Sequence, residues 1–348
     1  MEASYFKYQL KFNKTSGTSR GLMTTKDTWF IQIYDSGQTG IGECGMFSGL
    51  SFDDRPDFED KLQWTCSNIH LGLELLLDQL SDFPSIQFGL EIAFLDLNSE
   101  VPHILFPSKF TKGQDKISIN GLVWMGDIDF MKTQINANLS AGFRCIKIKI
   151  GALDFETEID LIHSIRKQFG ADTVEIRVDA NGAFSSTEVL EKLKRLSDFQ
   201  LHSIEQPIAT GQTDTMAELC LKTPLPIALD EELIGVRTVT KKVELLQTIK
   251  PQYIILKPTL VGGFSGSQSW IDIADSQSVG WWVTSALESN IGLNAIAQWT
   301  YNLKVNCSQG LGTGTLFANN IQAPLEITKG CLVYNTSKKW KLNFDQCI

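Results

Sequence analysis

The chain has 348 residues, 40 acidic and 31 basic side chains, a formal net charge of −9 and 43% hydrophobic residues. That length predicts two domains, or one large domain with an addition. The acidic balance argues against a nucleic-acid or anionic-membrane partner, and the composition excludes disorder, collagen and coiled coil. No apolar run approaches the roughly 18 residues of a membrane span, and Met1 to Leu10 lacks the basic and apolar segments of a signal peptide. Seven scattered cysteines without a Cys-x-x-Cys predict neither a disulfide framework nor a thiolate zinc site, and a reducing cytoplasm fits best.

In chain order, Tyr5–Phe12 and Trp29–Tyr34 read as strands, the second closed by the turn Asp35-Ser36-Gly37. Gly40-Ile-Gly42-Glu-Cys-Gly45 matches GxGxxG formally, but no helix start follows, so a loop is expected and not a dinucleotide site. Phe58–Leu80 predicts a helix, with Leu73, Leu76, Leu77 and Leu80 at helical spacing. A second helix should follow Pro84-Ser85, with Ser85 as N-cap. Together these form an α+β unit.

From Ile117 short apolar strands alternate with amphipathic helical patterns. The expected strands are Ser118–Trp124, Arg144–Ile150, Val174–Asp179, Leu201–Glu205, Pro226–Asp230, Tyr253–Lys257, Gly280–Thr284 and Gln309–Leu311. Regular βα alternation implies a parallel sheet. Eight units point to a TIM barrel, with a doubly wound open sheet as the alternative. The tail from Leu316 has no βα pattern and is expected to pack back on the first unit. Gly262–Ser267 is not a GxSxG elbow, and Trp281-Trp282 reads as packing.

The informative residues end the strands. Cys145–Ile150 places Lys147 and Lys149 on one face and three isoleucines on the other. On an ordinary half-buried strand the lysines would be solvated; in a barrel they would point inward, where charge needs a reason. Asp179, Glu205, Asp230 and Lys257 then follow, each one βα repeat apart, so that successive strands would deliver them to one barrel mouth. Singly, each carboxylate reads as a cap or turn residue. Three converging carboxylates repel unless a cation neutralises them, and oxygen-only ligands favour Mg²⁺, with Mn²⁺ the alternative. A lysine beside a divalent cation and a second lysine should have a depressed pKa, which suits a general base.

With Lys-x-Lys at 147–149, Asp179, Glu205, Asp230 and Lys257, the sequence resembles the muconate-cycloisomerase branch of the enolase superfamily. Phe88–Leu97 is similar to that family's cap helix. The resemblance implies an α/β fold, a modified TIM barrel of (β/α)7β type. The α+β capping domain would span 1–112, the barrel 113–315, and a C-terminal return to the cap 316–348. It also implies a Mg²⁺ enzyme for a small carboxylate, with Asp179, Glu205 and Asp230 as metal ligands. Lys149 would be the base for an α-proton, Lys257 the cation on the opposite face, and Lys147 the neighbour that tunes Lys149.

No histidine lies beyond strand four, so the mandelate-racemase branch lacks its base. Gly310–Phe317 lacks the Asp-x-Asp of dipeptide epimerases. The loop Gly42–Ser51 and the stretches Ile119–Gly126 and Gly310–Gly314 are similar to the branch's dehydratases. They imply a syn-dehydration of a cyclic hydroxycarboxylate by a carbon–oxygen lyase. N-acylamino-acid racemase and muconate-type cycloisomerase chemistry use the same lysines and metal and stay open. Arg177 shares the face of Asp179 and would pair either a substrate carboxylate or an interior acid. Asn181 and Glu231 are expected beside the ligands. Ser285, Glu288 and Ser289 follow strand seven, where backbone N–H groups bind a distal carboxylate or Ser289 simply caps a helix. The expected partner is a small-molecule carboxylate; a homo-oligomer is left open. Outside the family, the paired inward lysines argue against a non-catalytic metal scaffold and against a Mg²⁺ barrel acting on phosphate esters.

Overall fold

The computed structural model describes residues 1–18 and 21–342. Three antiparallel strands, β1 (Glu2–Thr18), β2 (Gly21–Asp35) and β3 (Gln38–Cys44), open the chain. Alternation buries both faces of β2: Trp29, Ile31 and Ile33 enter the core of the cap, while Phe30 packs with Ile291 and Ile321 from the far end of the chain. Helices α1 (Phe58–Ser67), α2 (Leu73–Gln79) and α3 (Pro84–Leu97) complete the cap.

Three expectations change here. The loop expected over Gly40–Gly45 is mostly strand β3. Its glycines serve close packing, because a Cβ on Gly42 would lie 1.8 Å from the carbonyl oxygen of Gly89 on α3. The single helix expected over Phe58–Leu80 breaks at Gly72, which adopts φ +79°. Ser85 is not an N-cap: Phe83 holds that place, Pro84 opens the helix, and Ser85 donates its N–H and hydroxyl to Asp53 at 2.8 and 2.6 Å.

Helix α3 is apolar nearly all round because it is buried on two sides. Leu90, Ala93 and Phe94 pack in the cap, while Phe88 and Ile92 belong to the barrel core. After the short strand β4 (Lys116–Ser118), the barrel runs through β5 (Gly121–Val123), α4 (Ile128–Ser140), β6 (Cys145–Lys149), α5 (Phe155–Gln168), β7 (Glu175–Asp179) and α6 (Val189–Ser197). It continues through β8 (Ser203–Glu205), α7 (Thr213–Lys222), β9 (Ile227–Leu229), α8 (Val239–Ile249), β10 (Tyr253–Leu256), α9 (Pro258–Val261), α10 (Gly263–Ser276), β11 (Gly280–Val283) and α11 (Asn290–Asn302).

Strands β5 to β11 pair in sequence order, all parallel. The expected strand Ser118–Trp124 divides, with β5 in the barrel and β4 in a separate sheet. The eighth strand expected at Gln309–Leu311 is reduced to parallel bridges of Gln309 with Ile119 and Gly310 with Thr284. The glycine-rich chain turns into a 3₁₀ turn at Thr313–Thr315 before a ladder can extend. The outward isoleucines of β6 behave as expected: Ile146, Ile148 and Ile150 are buried against the helices.

The tail first meets the cap, where Asn13 N–H donates to Leu316 and Ala318 N–H to Lys11, both at 2.8 Å. It then forms a hairpin of β12 (Leu325–Thr328) and β13 (Cys331–Tyr334), which adds to β4. Among the described residues six cysteines are free, Cys347 lying outside them. None of the described helices is long and apolar enough to cross a membrane.

Candidate active site

The lumen-facing residues of β6 to β10 climb toward the C-terminal mouth. Lys149 pairs in register with Asp179 and Asp179 with Glu205, while Lys147 pairs with Arg177 one tier lower. Asp230 and Lys257 directly follow β9 and β10. Lys147 Nζ lies 2.8 Å from Asp179 Oδ2 and 2.5 Å from Glu205 Oε2. Lys149 Nζ lies 2.5 Å from Asp179 Oδ2 and donates to Asn181 Oδ1 at 2.7 Å. Asn181 donates onward to Glu231 Oε1 at 2.9 Å. Lys257 pairs with Asp230 from another wall of the mouth.

Burial opposes the charge of Lys147, but Asp179, Glu205 and Asp230 outweigh it and hold its pKa above the usual lysine range. Burial also opposes ionisation of Asp179 and Asp230. Lys147 and Lys149 hold Asp179 far below the usual carboxylate range, and Lys257 and Lys147 hold Asp230 below it. Glu205 goes the other way, pushed well up by burial and by the charges of Asp179 and Asp230. Its Oε1 is buried and has no hydrogen-bond partner among the described residues. An orphaned oxygen between two further carboxylates is short of positive charge, and an all-oxygen set of this kind fits a hard divalent cation. Lysine heads stand between the carboxylates, and no three His, Cys, Asp or Glu side chains among the described residues are drawn together as a ligand shell.

A cavity of about 410 Å³ opens above this tier. Lys147, Lys149 and Lys257 line its floor beside Asn181 and Glu231, and Phe47 and Leu50 from the cap form part of its wall. Arg177 does not reach it. Its Nε pairs with Glu175 at 2.7 Å, Nη1 donates to Ser308 O at 3.0 Å, and the guanidinium lies 4.2 Å over Trp282. The interior ion pair is therefore the role the geometry gives Arg177, because its tier lies below Asp179. Ser285 does line the cavity, yet its hydroxyl donates to Glu288 at 2.5 Å and accepts from Thr313 at 2.8 Å. Ser289 caps α11 and turns away toward the cap.

Sequence reasoning missed what Ser289 meets. Glu43, fully buried on β3, accepts from Ser289 N at 2.8 Å, Ser289 Oγ at 2.5 Å, Gly292 N at 2.9 Å and Thr28 Oγ1 at 2.9 Å. This clasp fastens the cap to the N-terminus of α11, where a negative charge is favoured. Glu91 does the same for α10 through the N–H groups of Phe264 and Ser265. Neither partnership leaves a local signal, since Ser289 is 246 residues from Glu43.

A barrel whose mouth sets lysines among buried carboxylates under an α+β cap defines an enzyme class, the enolase superfamily. Residues 131–337 match the family described as enolase C-terminal domain-like. The chain is 44% identical to the o-succinylbenzoate synthase of Desulfotalea psychrophila, over 95% of this chain and 98% of that protein. The solved structure of MenC from Desulfotalea psychrophila LSv54 superposes with a TM-score of 0.85 at 41% identity, covering 96% of this chain and 99% of that one. An N-succinylamino acid racemase from Amycolatopsis is 27% identical over 79% of this chain and 76% of its own. The chain belongs to the o-succinylbenzoate synthase family of the enolase superfamily.

Proposed function

We propose that the chain catalyses the syn-dehydration of 2-succinyl-6-hydroxy-2,4-cyclohexadiene-1-carboxylate to 2-succinylbenzoate, as a step of menaquinone biosynthesis in the cytoplasm. The supporting observation is the pair Lys149 and Lys257, brought from two walls of one cavity onto a tier that holds the orphaned oxygen of Glu205. Asp179, Glu205 and Asp230 would hold the cation, Mg²⁺ first and Mn²⁺ second, with the lysine heads moving aside. When bound, the cation supplies Lewis-acid stabilisation of negative charge growing on the ring carboxylate.

Lys149, as the neutral amine, takes the proton α to that carboxylate. The C–H electron pair enters the ring, and the carboxylate carries part of the charge as an enediolate. The ring C–O bond then breaks, and Lys149 returns its proton to the departing hydroxyl on the same face, so water leaves and the ring becomes aromatic. Lys257 stays an ammonium on the other face and stabilises the planar anion by charge and cation–π contact. Lys147 stays an ammonium beside Lys149, paired with Asp179 and Glu205. Asn181 and Glu231 fix the head of Lys149. Phe47 and Leu50 exclude water above the ring.

Two opposed lysines also suit a two-base racemase, so N-succinylamino acids are the second substrate class to assay. Turnover of the hydroxycyclohexadiene carboxylate is expected with Mg²⁺, is lost in EDTA, and falls by about 10²–10⁴ in Lys149→Ala. Absence of wild-type turnover, with racemisation of an N-succinylamino acid in its place, overturns the dehydratase reading.

A further inference from the structure

We infer that Gln206 and Glu232 form a buried clamp that sets the spacing of Asp179, Glu205 and Asp230, which makes Gln206 a positioning residue for the divalent cation. The inference rests on the metal reading above. Gln206 immediately follows Glu205, is 1% exposed and adopts φ +40°, a region uncommon for a residue with a side chain. Its backbone ties three successive strand ends together. Its carbonyl accepts from Gly182 N at 2.7 Å, in the loop that follows Asp179, and its N–H donates to Ala228 O on β9 at 2.9 Å.

The side chain completes the clamp. Oε1 accepts from the N–H groups of Asp230 and Glu232, both at 3.3 Å. Nε2 donates to Ile208 O at 3.0 Å and to Glu232 Oε2 at 3.1 Å. The other oxygen of Glu232 accepts from Gly211 N at 3.1 Å. A primary amide has two donors and two acceptor sites, and all four are used here. The backbone N–H of one proposed ligand, Asp230, thus hangs on the side chain adjoining another, Glu205.

Only an amide of this length satisfies both ends. Gln206→Glu keeps the volume and the two accepted bonds, but turns lone pairs onto Ile208 O and the Glu232 carboxylate. Mg²⁺ demands near-ideal octahedral oxygens and tolerates displaced ligands poorly, whereas Ca²⁺ accepts looser sets. A loosened clamp therefore acts on Mg²⁺ affinity before it acts on chemistry, and on Mg²⁺ more than Ca²⁺.

The test is calorimetric titration of the EDTA-treated full chain with MgCl₂ and with CaCl₂, alongside kcat and KM at saturating Mg²⁺. Gln206→Glu is expected to weaken Mg²⁺ binding by about 10–100-fold, to weaken Ca²⁺ binding less, and to leave kcat at saturating Mg²⁺ closer to wild type than the Mg²⁺ affinity. The exchanged pair Gln206→Glu/Glu232→Gln restores the cross-loop donor and should recover most of the lost affinity. Glu232→Gln alone disturbs the same contact more gently and serves if Gln206→Glu does not fold. Wild-type Mg²⁺ binding unchanged in the folded variants, or an exchanged pair no better than Gln206→Glu, overturns the clamp alone. A wild type that binds no Mg²⁺ overturns the metal reading and the clamp with it.

Discussion

Replacing Glu43 by alanine should unfasten the cap from the barrel. The carboxylate accepts four hydrogen bonds in a fully buried setting. Two of the donors have freedom to reorient: Thr28 Oγ1 already lies 3.4 Å from Cys44 O, and the Ser289 O–H, whose oxygen accepts from Ile291 N at 3.2 Å, turns about its own C–O bond. The backbone N–H groups of Ser289 and Gly292 do not, and each stranded buried donor costs about 1–3 kcal/mol. With the lost charge at a helix N-terminus added, the destabilisation comes to about 4 kcal/mol. For a chain of 348 residues the unfolding entropy is about 0.7 kcal/mol/K, so the apparent Tm should fall by about 5 °C. Glu43→Gln keeps one acceptor oxygen and should cost about half as much. Because the loop after β3 carries Phe47 and Leu50 to the cavity, KM should rise in both variants more than kcat falls. The assay is differential scanning fluorimetry with steady-state kinetics on the same preparations. A Glu43→Ala protein that melts within about 1 °C of wild type, well inside the shift the entropy predicts, would refute the claim that these bonds carry the cap.

Other outcomes follow from single sites. Burial raises the Asp53 carboxyl from 3.8 to about 6. The folded state then binds more protons than the unfolded one between those values, so this group makes stability fall as pH rises from about 4 to 6. Asp53→Asn should remove that slope, and urea unfolding at pH 4, 5, 6 and 7 reads it; parallel wild-type and variant profiles would contradict the sign. Gly42→Ala would drive a methyl into the Gly89 carbonyl on α3, 1.8 Å away, and soluble yield should collapse, whereas wild-type yield would show that α3 can retreat. Phe47→Ala truncates a nearly buried ring packed with Leu260 and Leu287; a loss of about 3 kcal/mol and a raised KM are expected in thermal and kinetic assays.

The fold and the candidate tier were legible for a local reason. One βα repeat delivers one strand end, so a residue's place in the repeat sets its place at the mouth, and Lys149, Asp179 and Glu205 stand in one tier as their spacing predicts. Binary alternation likewise placed the lysines inward and the isoleucines of β6 outward. Alternation does not separate tiers, so Arg177 reads two ways until the floor of the barrel closes around it.

What the tertiary structure decided is what depends on partners distant in the chain. The glycines at 40 and 42 resemble a loop until α3 is laid across them and leaves no room for a Cβ. Ser289 reads as a cap or a ligand until Glu43 arrives from the first domain. Gln206 carries no sequence signal at all, because an amide that fills its four bonds across neighbouring loops looks like any glutamine until those loops are folded together. Repeats and alternation are properties of the chain, whereas buried polar groups are satisfied only by the fold, since each must find a donor or acceptor wherever packing brings one.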